Sequence, residues 1–377
     1  MRVVIVGPAY PFRGGIAHYT SALTQRMIER GHATTLISFR RQYPRWLYPG
    51  LSDTDPSQTY QSVQAQYLLD PINPISWWRT ARTIAGLKPD LVVMQWWTTY
   101  WALAFSAVTW LLREMGICVH FLAHNVLPHE LRPGDRLLTR LALRKSAGCV
   151  VWNQTDAERL RHLGLHTPSV VCAMPVCPLP TVPMIGQAEA RERLQLPAHM
   201  PLALFFGFVR HYKGLRYLIE AAALLRDAGT PVYVLVAGEC WVRQREYEQL
   251  IDQLGLRQHV RLVGRYIPNE DVSVYFSAAD LLVAPYIELT QSAVSTMAFR
   301  FGLPLVMSRT LADGLPTFSN DHRVTIVPEA DASALARAIG AVSQKGQVHR
   351  RDAELIDDGW SRLVDTLEHL AQKPAVE

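Results

Sequence analysis

Residues 202–214, Leu-Ala-Leu-Phe-Phe-Gly-Phe-Val-Arg-His-Tyr-Lys-Gly, give the clearest indication of the fold. The apolar run Leu202–Phe206 stops at a glycine, and a helical pattern follows over Leu215–Arg226, which predicts the strand and helix of a βα unit. Arg210 and Lys213 lie on the intervening loop. A guanidinium fork and an ammonium point charge at that place can hold a diphosphate, although a solvated surface pair explains them equally well.

The same alternation of apolar runs and helical patterns extends through the whole chain. It predicts an α/β architecture of two doubly wound Rossmann-like domains, each with a parallel sheet covered on both faces, that face each other across a cleft. The further predicted strands lie at residues 3–6, 33–39, 91–94, 117–123, 149–152, 232–237, 260–263, 281–284 and 305–307.

Four prolines between Pro175 and Pro183 exclude a helix interior and a central strand, and we interpret this segment as the connection between the domains. The predicted division is 1–177 for the first domain, 178–183 for a proline-rich linker and 184–352 for the second domain. Residues 353–377 are predicted to form a C-terminal helix and tail that can pack back on the first domain.

Charge is distributed unevenly along the 377 residues, of which 49% are hydrophobic and 19% charged. Residues 1–180 hold 18 Lys and Arg against 10 Asp and Glu, a balance of +8, whereas the remainder holds 20 against 23, a balance of −3. The basic half favours an anionic partner such as a phosphorylated ligand or a membrane surface. We predict no nucleic-acid partner, because no Lys/Arg-rich tract is interleaved with aromatic residues.

Cysteine usage and the apolar segments indicate a cytoplasmic protein. The five cysteines form no CxxC pair, and an odd number is no disulfide framework. The first apolar run is too short for a secretory signal. Residues 91–112 carry no charge and are long enough to cross a bilayer, but polar residues interrupt them after Met94, so we interpret them as a buried strand followed by a helix.

Two further loops offer sites for an anion. Gly14-Gly15 leads from the first strand into a helix, where free amide groups attract negative charge; it is neither a GxGxxG nor a Walker A loop, and a simple tight turn is the alternative. In residues 285–304, Thr290 is predicted to cap a helix whose first amides belong to Gln291 and Ser292.

Taken in order, these elements resemble the GT-B glycosyltransferases of family 4, retaining enzymes that use nucleotide-sugar donors. The resemblance spans nearly the whole chain. The matching motifs are Gly14-Gly15, Arg30-Gly31-His32, Ala123-His124-Asn125, Arg210 with Lys213-Gly214, Ala237-Gly238-Glu239, Ala279-Asp280-Leu281 and Phe301-Gly302-Leu303-Pro304.

The resemblance implies an acceptor-binding first domain and a second domain that binds the nucleotide sugar, with no further cofactor and no metal. Arg210 and Lys213 then hold the donor diphosphate, with Gly14 and Gly15 near it. The loop from Arg265 to Ile267 lies by the base. His124 corresponds to the family's active-site histidine; from the sequence alone, a hydrogen-bonded residue at a strand end is the alternative.

One departure from the family pattern concerns its two glutamates, eight positions apart. Their places fall on Leu289 and Met297, neither of which is acidic. We expect Glu288 to contact the sugar instead, with Gln291 and Ser292 facing the phosphates. The missing carboxylates also permit a non-catalytic partner subunit that binds a nucleotide sugar or glycan, and a nucleotide-sugar epimerase is a third interpretation.

Other clusters receive weaker interpretations. Asp53-Thr54-Asp55 spells a DxD metal–diphosphate pattern but follows no strand, and His124 and His129 lack helical ligand spacing, so we predict no metal site. A basic stripe beside leucines suits an anionic membrane surface or a solvated helix face; it comprises Arg136, Arg140, Arg144 and Lys145. The aromatic cluster can line an acceptor pocket, for a glycan or lipid-linked acceptor, or fill a core; it comprises Trp96, Trp97, Tyr100 and Trp101.

Overall fold

The computed structural model describes residues 1–44, 50, 52–59, 63–128, 130–176, 184–288, 292–315, 321–344 and 359–372. The chain divides into two compact units. The first comprises Met1–Asp55, Gln61–Pro178 and Asp357–Glu377, and the second comprises Pro56–Tyr60 and Leu179–Ile356. The predicted linker at 178–183 and the predicted end of the second domain at 352 lie outside the described residues.

The first unit is built on a seven-stranded sheet in the order β3-β2-β1-β4-β5-β6-β7, with every neighbouring pair parallel. Parallel strands need crossover connections, which the intervening helices provide. The strands are β1 Arg2–Val6, β2 Ala33–Phe39, β3 Ala65–Leu69, β4 Leu91–Trp96, β5 Val119–Ala123, β6 Gly148–Val151 and β7 Ser169–Val171.

Six helices belong to the described part of the first unit: α1 Gly15–Glu29, α2 Pro74–Gly86, α3 Ala102–Glu114, α4 Asp135–Leu143, α5 Gln154–His162 and a C-terminal helix, Trp360–Gln372. Residues 91–112 form β4, a 3-10 turn at Thr99–Trp101 and most of α3, as predicted. No helix among the described residues is long and apolar enough to cross a membrane. Trp96 and Trp101 are fully buried in the core, against which Trp97 and Tyr100 also pack.

The C-terminal helix packs on α1 of the first unit. Trp360 is 2% exposed and its indole Nε1 donates to the carbonyl of Val176 at 3.1 Å. At the other end of the contact, Glu368 accepts from Arg30 at 3.3 Å and lies 2.8 Å from Nε2 of His32. These contacts give the motif Arg30-Gly31-His32 a structural role in holding the helix.

The second unit contains a parallel six-stranded sheet in the order β10-β9-β8-β11-β12-β13. Its strands are β8 Leu202–Phe206, β9 Tyr233–Ala237, β10 Val260–Val263, β11 Leu281–Ala284, β12 Leu305–Ser308 and β13 Val324–Val327. Its described helices are α6 Gln187–Arg193, α7 Leu215–Asp227, α8 Gln244–Gln253, α9 Asn269–Ala278, α10 Ala293–Arg300, α11 Arg309–Gly314 and α12 Ala332–Gln344; the C-terminal helix is α13. The predicted α/β class with two Rossmann-like sheets is confirmed.

Pro56–Tyr60 clusters with the second unit, although the sequence places it inside the first domain. Hydrogen bonds explain the difference. Ser57 accepts from the backbone amide of Asn269 at 2.8 Å, and Glu270 accepts from the amide of Gln58 at 3.2 Å and from the hydroxyl of Thr59 at 3.1 Å. Ser57 thereby satisfies a backbone amide in the first turn of α9, where helical amides lack partners within the helix.

Candidate functional site

In the first unit, the loop after β1 brings bare backbone to the start of α1. Gly14 precedes the helix at φ 112°, a conformation that side chains strain to adopt, and no side chain caps the helix. A Cβ placed on Gly14 or Gly15 meets no described atom within 4 Å, and Gly15 is exposed. The structure therefore places this helix N-terminus and its partial positive charge at an open surface.

His124 lies directly after β5, on the neighbouring loop. It is 6% exposed, and its Nε2 lies 2.7 Å from the amide oxygen of Gln95, at the end of β4. The rings of Tyr19 and Trp152 contact it edge-on, with centroids 5.8 and 5.6 Å away. Burial lowers the pKa of His124 to about 3. Because an amide oxygen only accepts, Nε2 carries the proton and the neutral ring is fixed in one tautomer.

Gln95 also belongs to this candidate site, and it was not selected from the sequence. Its side chain is fully buried, and a Cβ on Gly7 would lie 2.5 Å from its Cγ. Only glycine at position 7 therefore leaves room for the amide that orients His124. Gly7, directly after the first strand, is the feature of the sequence that could have indicated a close side-chain contact at this place.

In the second unit, Arg210 and Lys213 lie on the loop between β8 and α7, as predicted. Lys213 is 8% exposed and forms part of a 3-10 turn, His211–Lys213, that Arg210 precedes. Burial and, secondarily, the charge of Arg210 lower the pKa of Lys213 to about 8. The ammonium lies over the ring of Tyr286, 5.3 Å from its centroid. A buried ammonium without an anion is costly, so this position is suited to a negatively charged ligand.

Glycines allow three loops to meet at this lysine. A Cβ on Gly214 would lie 2.1 Å from the carbonyl oxygen of Pro285, and one on Gly238 would lie 2.1 Å from that of Gly207. A Cβ on Gly207 itself would lie 3.3 Å from Nζ of Lys213 and 3.5 Å from Cγ2 of Val294. The lysine ammonium is therefore next to the first turn of α10.

The beginning of α10 differs from the prediction. Ser292, not Thr290, is the cap: its hydroxyl accepts from the amide of Ser295 at 3.1 Å, and the helix begins at Ala293. Serine and threonine both favour the capping position, and the cap accepts from an amide two or three residues later, as Ser292 does from Ser295. Thr290 and Gln291 lie outside the described residues, and the helical amides begin two residues later than expected.

The predicted acidic residue of this loop, Glu288, is exposed, and Met297 is 5% exposed within α10. A thioether in the core cannot replace a carboxylate. Leu289, at the other position of the family's glutamates, lies outside the described residues.

The predicted base-contacting loop connects to Arg210 through aromatic rings. Arg265 is exposed and Ile267 is 5% exposed. Between them, the ring centroid of Tyr266 lies 6.1 Å from that of Phe208, and the Phe208 centroid lies 4.4 Å from that of Trp241. The guanidinium carbon of Arg210 lies 5.3 Å from the Trp241 centroid. The structure thus brings Arg265–Ile267 to the same edge of the sheet as Arg210. Trp241 and Tyr286 were not selected from the sequence, because a lone aromatic after a strand gives no distinctive pattern.

Asp53 and Asp55 have a structural use. The carbonyl of Asp53 accepts from the amide of Arg13 at 3.0 Å, and the amide of Asp55 donates to the carbonyl of Pro11 at 2.7 Å. The pair therefore brackets a short antiparallel bridge between Thr54 and Phe12 that supports the first loop. Within the described ranges, no three His, Cys, Asp or Glu side chains are grouped to hold a metal; His129 lies outside those ranges.

Comparison with known families covers both units. The protein-family model described as "Glycosyl transferase 4-like domain" matches residues 14–176, and the protein-family model described as "Glycosyl transferases group 1" matches residues 200–345. The chain belongs to the family 4 glycosyltransferases of the GT-B fold. The two family 4 matches include every motif on which the resemblance rested.

Curated relatives align with only part of this family 4 chain. The 2-deoxystreptamine glucosyltransferase of Streptomyces kanamyceticus is 30% identical over 164 residues, which cover 42% of each chain. The D-inositol 3-phosphate glycosyltransferase of Corynebacterium glutamicum is 28% identical over 158 residues, which cover 39% of this chain and 37% of the relative. The aligned regions thus span less than half the length of these relatives.

Solved structures match over the full length at low identity. HepE from Anabaena, in complex with UDP and glucose, has a TM-score of 0.72 at 16% identity and covers 98% of this chain and 100% of its own. Sucrose-phosphate synthase from Thermosynechococcus elongatus has a TM-score of 0.68 at 18% identity, with 98% and 96% covered. These matches show the shared GT-B fold.

Proposed function

We propose that this protein is a retaining glycosyltransferase that transfers a sugar from a nucleoside-diphosphate sugar to a glycan, lipid-linked or small-molecule acceptor. The observation that carries the proposal is the buried ammonium of Lys213, beside Arg210 and the first turn of α10. Family membership and the UDP complex of the HepE neighbour support it. The nucleoside diphosphate is the ligand whose charge fits this site.

Departure of the nucleoside diphosphate explains why cations are needed at this place. As the bond from the sugar to the β-phosphate oxygen breaks, the bonding electrons stay on that oxygen and its negative charge grows. Arg210, Lys213 and the amides at the start of α10 stabilise that charge more strongly as the bond lengthens, which lowers the barrier. In the first unit, Gly14 and Gly15 leave the amides at the start of α1 open to an anionic ligand.

His124 acts as a positioning group for a sugar hydroxyl. With Nε2 donating to Gln95, the other ring nitrogen is a neutral acceptor. Its low pKa keeps the ring uncharged at neutral pH, so it orients a hydroxyl and delivers no proton. Glu288 contacts the donor sugar or the positive charge that develops on it. Ser292, which caps α10, faces the phosphates.

Calorimetric titration of UDP, GDP and ADP tests the donor site. Lys213→Ala is expected to weaken binding of the preferred nucleotide by about 1.5 to 3 kcal/mol, the range for a hydrogen bond to a charged group. Arg216→Ala is the matched control, because Arg216 is an exposed cation on α7 paired with Glu220. Equal affinities of Lys213→Ala and the wild type would contradict the assignment.

A non-catalytic subunit of the same fold is the second candidate, and the buried Met297 favours it, since no carboxylate can act from that position. The two candidates differ in turnover. Slow hydrolysis of a nucleotide sugar by the purified protein supports the transferase, whereas tight donor binding without hydrolysis or transfer supports the partner subunit. Conversion of the donor to its epimer would identify an epimerase.

The cellular setting that we propose is the cytoplasm, with peripheral contact to an anionic membrane. Arg136, Arg140 and Arg144 are exposed along α4 and its end, with Lys145 half-buried beside them. Leu137, on the same helix, is 71% exposed. A basic helix with an exposed leucine is suited to an anionic surface, where a lipid-linked acceptor would be found.

A further inference from the structure

A second concave site lies in the first unit, at the edge of the sheet opposite His124. It is a pocket of about 740 Å³. The segments that lead into β5, β6 and β7 line it, namely Gly116–Val119, Ser146–Ala147 and His166–Pro168. His124 and the first loop follow the carboxyl ends of their strands, so this pocket is separate from the proposed catalytic residues of the unit.

Among the described residues, four cations and no carboxylate line the pocket. The cations are Arg113, Arg140, Arg144 and Lys145. None of the four side chains has an ion pair or hydrogen bond with an acid in the described part of the chain. The guanidinium of Arg140 lies against Gly164: a Cβ added to Gly164 would be 3.9 Å from Cζ of Arg140. Like charges held around one cavity repel each other, and a bound anion removes that repulsion.

Size and lining identify the kind of anion. A volume of about 740 Å³ is typical of pockets for organic ligands and far exceeds one phosphate ion. Leu137 and Leu141 line the cavity beside the cations, and Leu137 is 71% exposed. Trp110, 46% exposed, lies beneath the ammonium of Lys145 at 5.9 Å. A lining that combines cations with leucine side chains suits a phosphate carried on an organic body.

We propose that this pocket binds a phosphate ester, with Arg113, Arg140, Arg144 and Lys145 around the phosphate. The ester is either the headgroup of an anionic phospholipid or a soluble phosphorylated compound. The proposal does not depend on the donor site, since it involves other residues at another edge of the sheet. It also divides the basic stripe into two parts, because Arg140, Arg144 and Lys145 line the pocket whereas Arg136 does not.

That division supplies a matched control. Arg132 and Arg136 are exposed cations next to and on α4, and neither lines the pocket. The double variant Arg140→Gln/Arg144→Gln and the double variant Arg132→Gln/Arg136→Gln remove the same net charge from neighbouring surfaces. A general attraction to anionic surfaces weakens equally in both, whereas a pocket weakens only in the first.

The experiment measures two kinds of ligand with the wild type and both double variants. Glycerol 3-phosphate and inorganic phosphate are titrated in solution, and co-sedimentation is measured with equimolar phosphatidylglycerol/phosphatidylcholine vesicles and with pure phosphatidylcholine vesicles. We expect the pocket variant to lose about 150-fold in affinity for the phosphatidylglycerol vesicles, from two charge-assisted hydrogen bonds at about 1.5 kcal/mol each. The control is expected to lose at most about 30-fold, from the general attraction of two surface cations at about 1 kcal/mol each. The melting temperature without ligand shows that both variants fold.

Each result decides the proposal. Selective loss with the vesicles assigns the pocket to a lipid headgroup, and selective loss with glycerol 3-phosphate alone assigns it to a soluble ester. Equal weakening in both variants, or no binding of either kind of ligand by the wild type, overturns the pocket. Nucleoside diphosphate binding, measured in parallel, reports on the proposed transferase independently.

Discussion

Replacing Lys213 by methionine is expected to stabilise the protein while it weakens donor binding. The ammonium is buried, and its pKa falls from 10.5 to about 8 because burial, and then Arg210, disfavours its charged form. A change of one in pKa corresponds to about 1.4 kcal/mol, so the charged lysine destabilises the free folded state by about 3 kcal/mol. Methionine has a similar length and no charge, and it removes that penalty.

The difference in unfolding free energy between the wild type and Lys213→Met depends on pH. Below about pH 8, Lys213 is protonated in both the folded and the unfolded protein, and the whole penalty applies. As the pH rises from about 8 towards 10.5, the folded protein releases this proton first, so the stability of the wild type rises relative to the variant. The advantage of Lys213→Met is therefore largest at neutral pH and shrinks in alkaline buffer.

Thermal unfolding without nucleotide, measured at neutral and alkaline pH, is the assay. At neutral pH, about 3 kcal/mol corresponds to a rise of about 6 °C or more in the transition of a unit of this size. Arg216→Met is the control, since it removes one exposed charge from the adjacent helix. The reasoning would be refuted by a Lys213→Met protein that melts no higher than the wild type at neutral pH, or by a difference that does not change with pH.

Four further outcomes are expected. UDP affinity of the wild type falls as the pH rises through about 8, because only the ammonium pairs with phosphate, and calorimetry should show no such fall in Lys213→Arg. His124→Gln lowers kcat, but the pH–rate profile of the wild type shows no inflection between about pH 5 and 8 from this ring, whose pKa is about 3. Gly214→Ala lowers the melting temperature by the equivalent of more than about 1 kcal/mol, because φ is 69° and the new Cβ would lie 2.1 Å from a carbonyl oxygen. Gly229→Ala is the control, because its φ of 74° imposes the same backbone strain while no atom lies within 4 Å of the new Cβ. Trp360→Ala costs about 3 to 5 kcal/mol of unfolding free energy in chemical denaturation, as expected for a buried tryptophan, and a loss no larger than that of an exposed residue would exclude the contact.

Many of the central strands could be predicted, because buried parallel strands are continuous apolar runs. Leu202–Phe206 and Leu281–Ala284 have the bounds expected from the sequence. The edge strands β3, β7 and β13 were missed, since Ala65–Leu69, Ser169–Val171 and Val324–Val327 are short and partly exposed. Local apolar content thus identifies the centre of each sheet better than its margins.

The places of the candidate residues were predictable where they depend on a local loop, and less so where they depend on distant contacts. Arg210 and Lys213 could be selected because a strand, a loop and a helix follow in sequence. Gln95 could not, because its relation to His124 arises only when β4 and β5 pair. The cap of α10 was misplaced because Thr290 and Ser292 are both favourable residues and only the backbone decides between them.

The return of α13 to the first unit bears on the order in which the molecule can be completed during synthesis. The helix Trp360–Gln372 is made after every strand of the second sheet, whereas its partners Tyr19, Arg30 and His32 are made before any of those strands. Domains generally fold in the order in which they emerge. Here the earlier-made unit keeps an uncovered face of α1 through translation of the later one, and the nascent chain must keep that face from aggregating until α13 arrives.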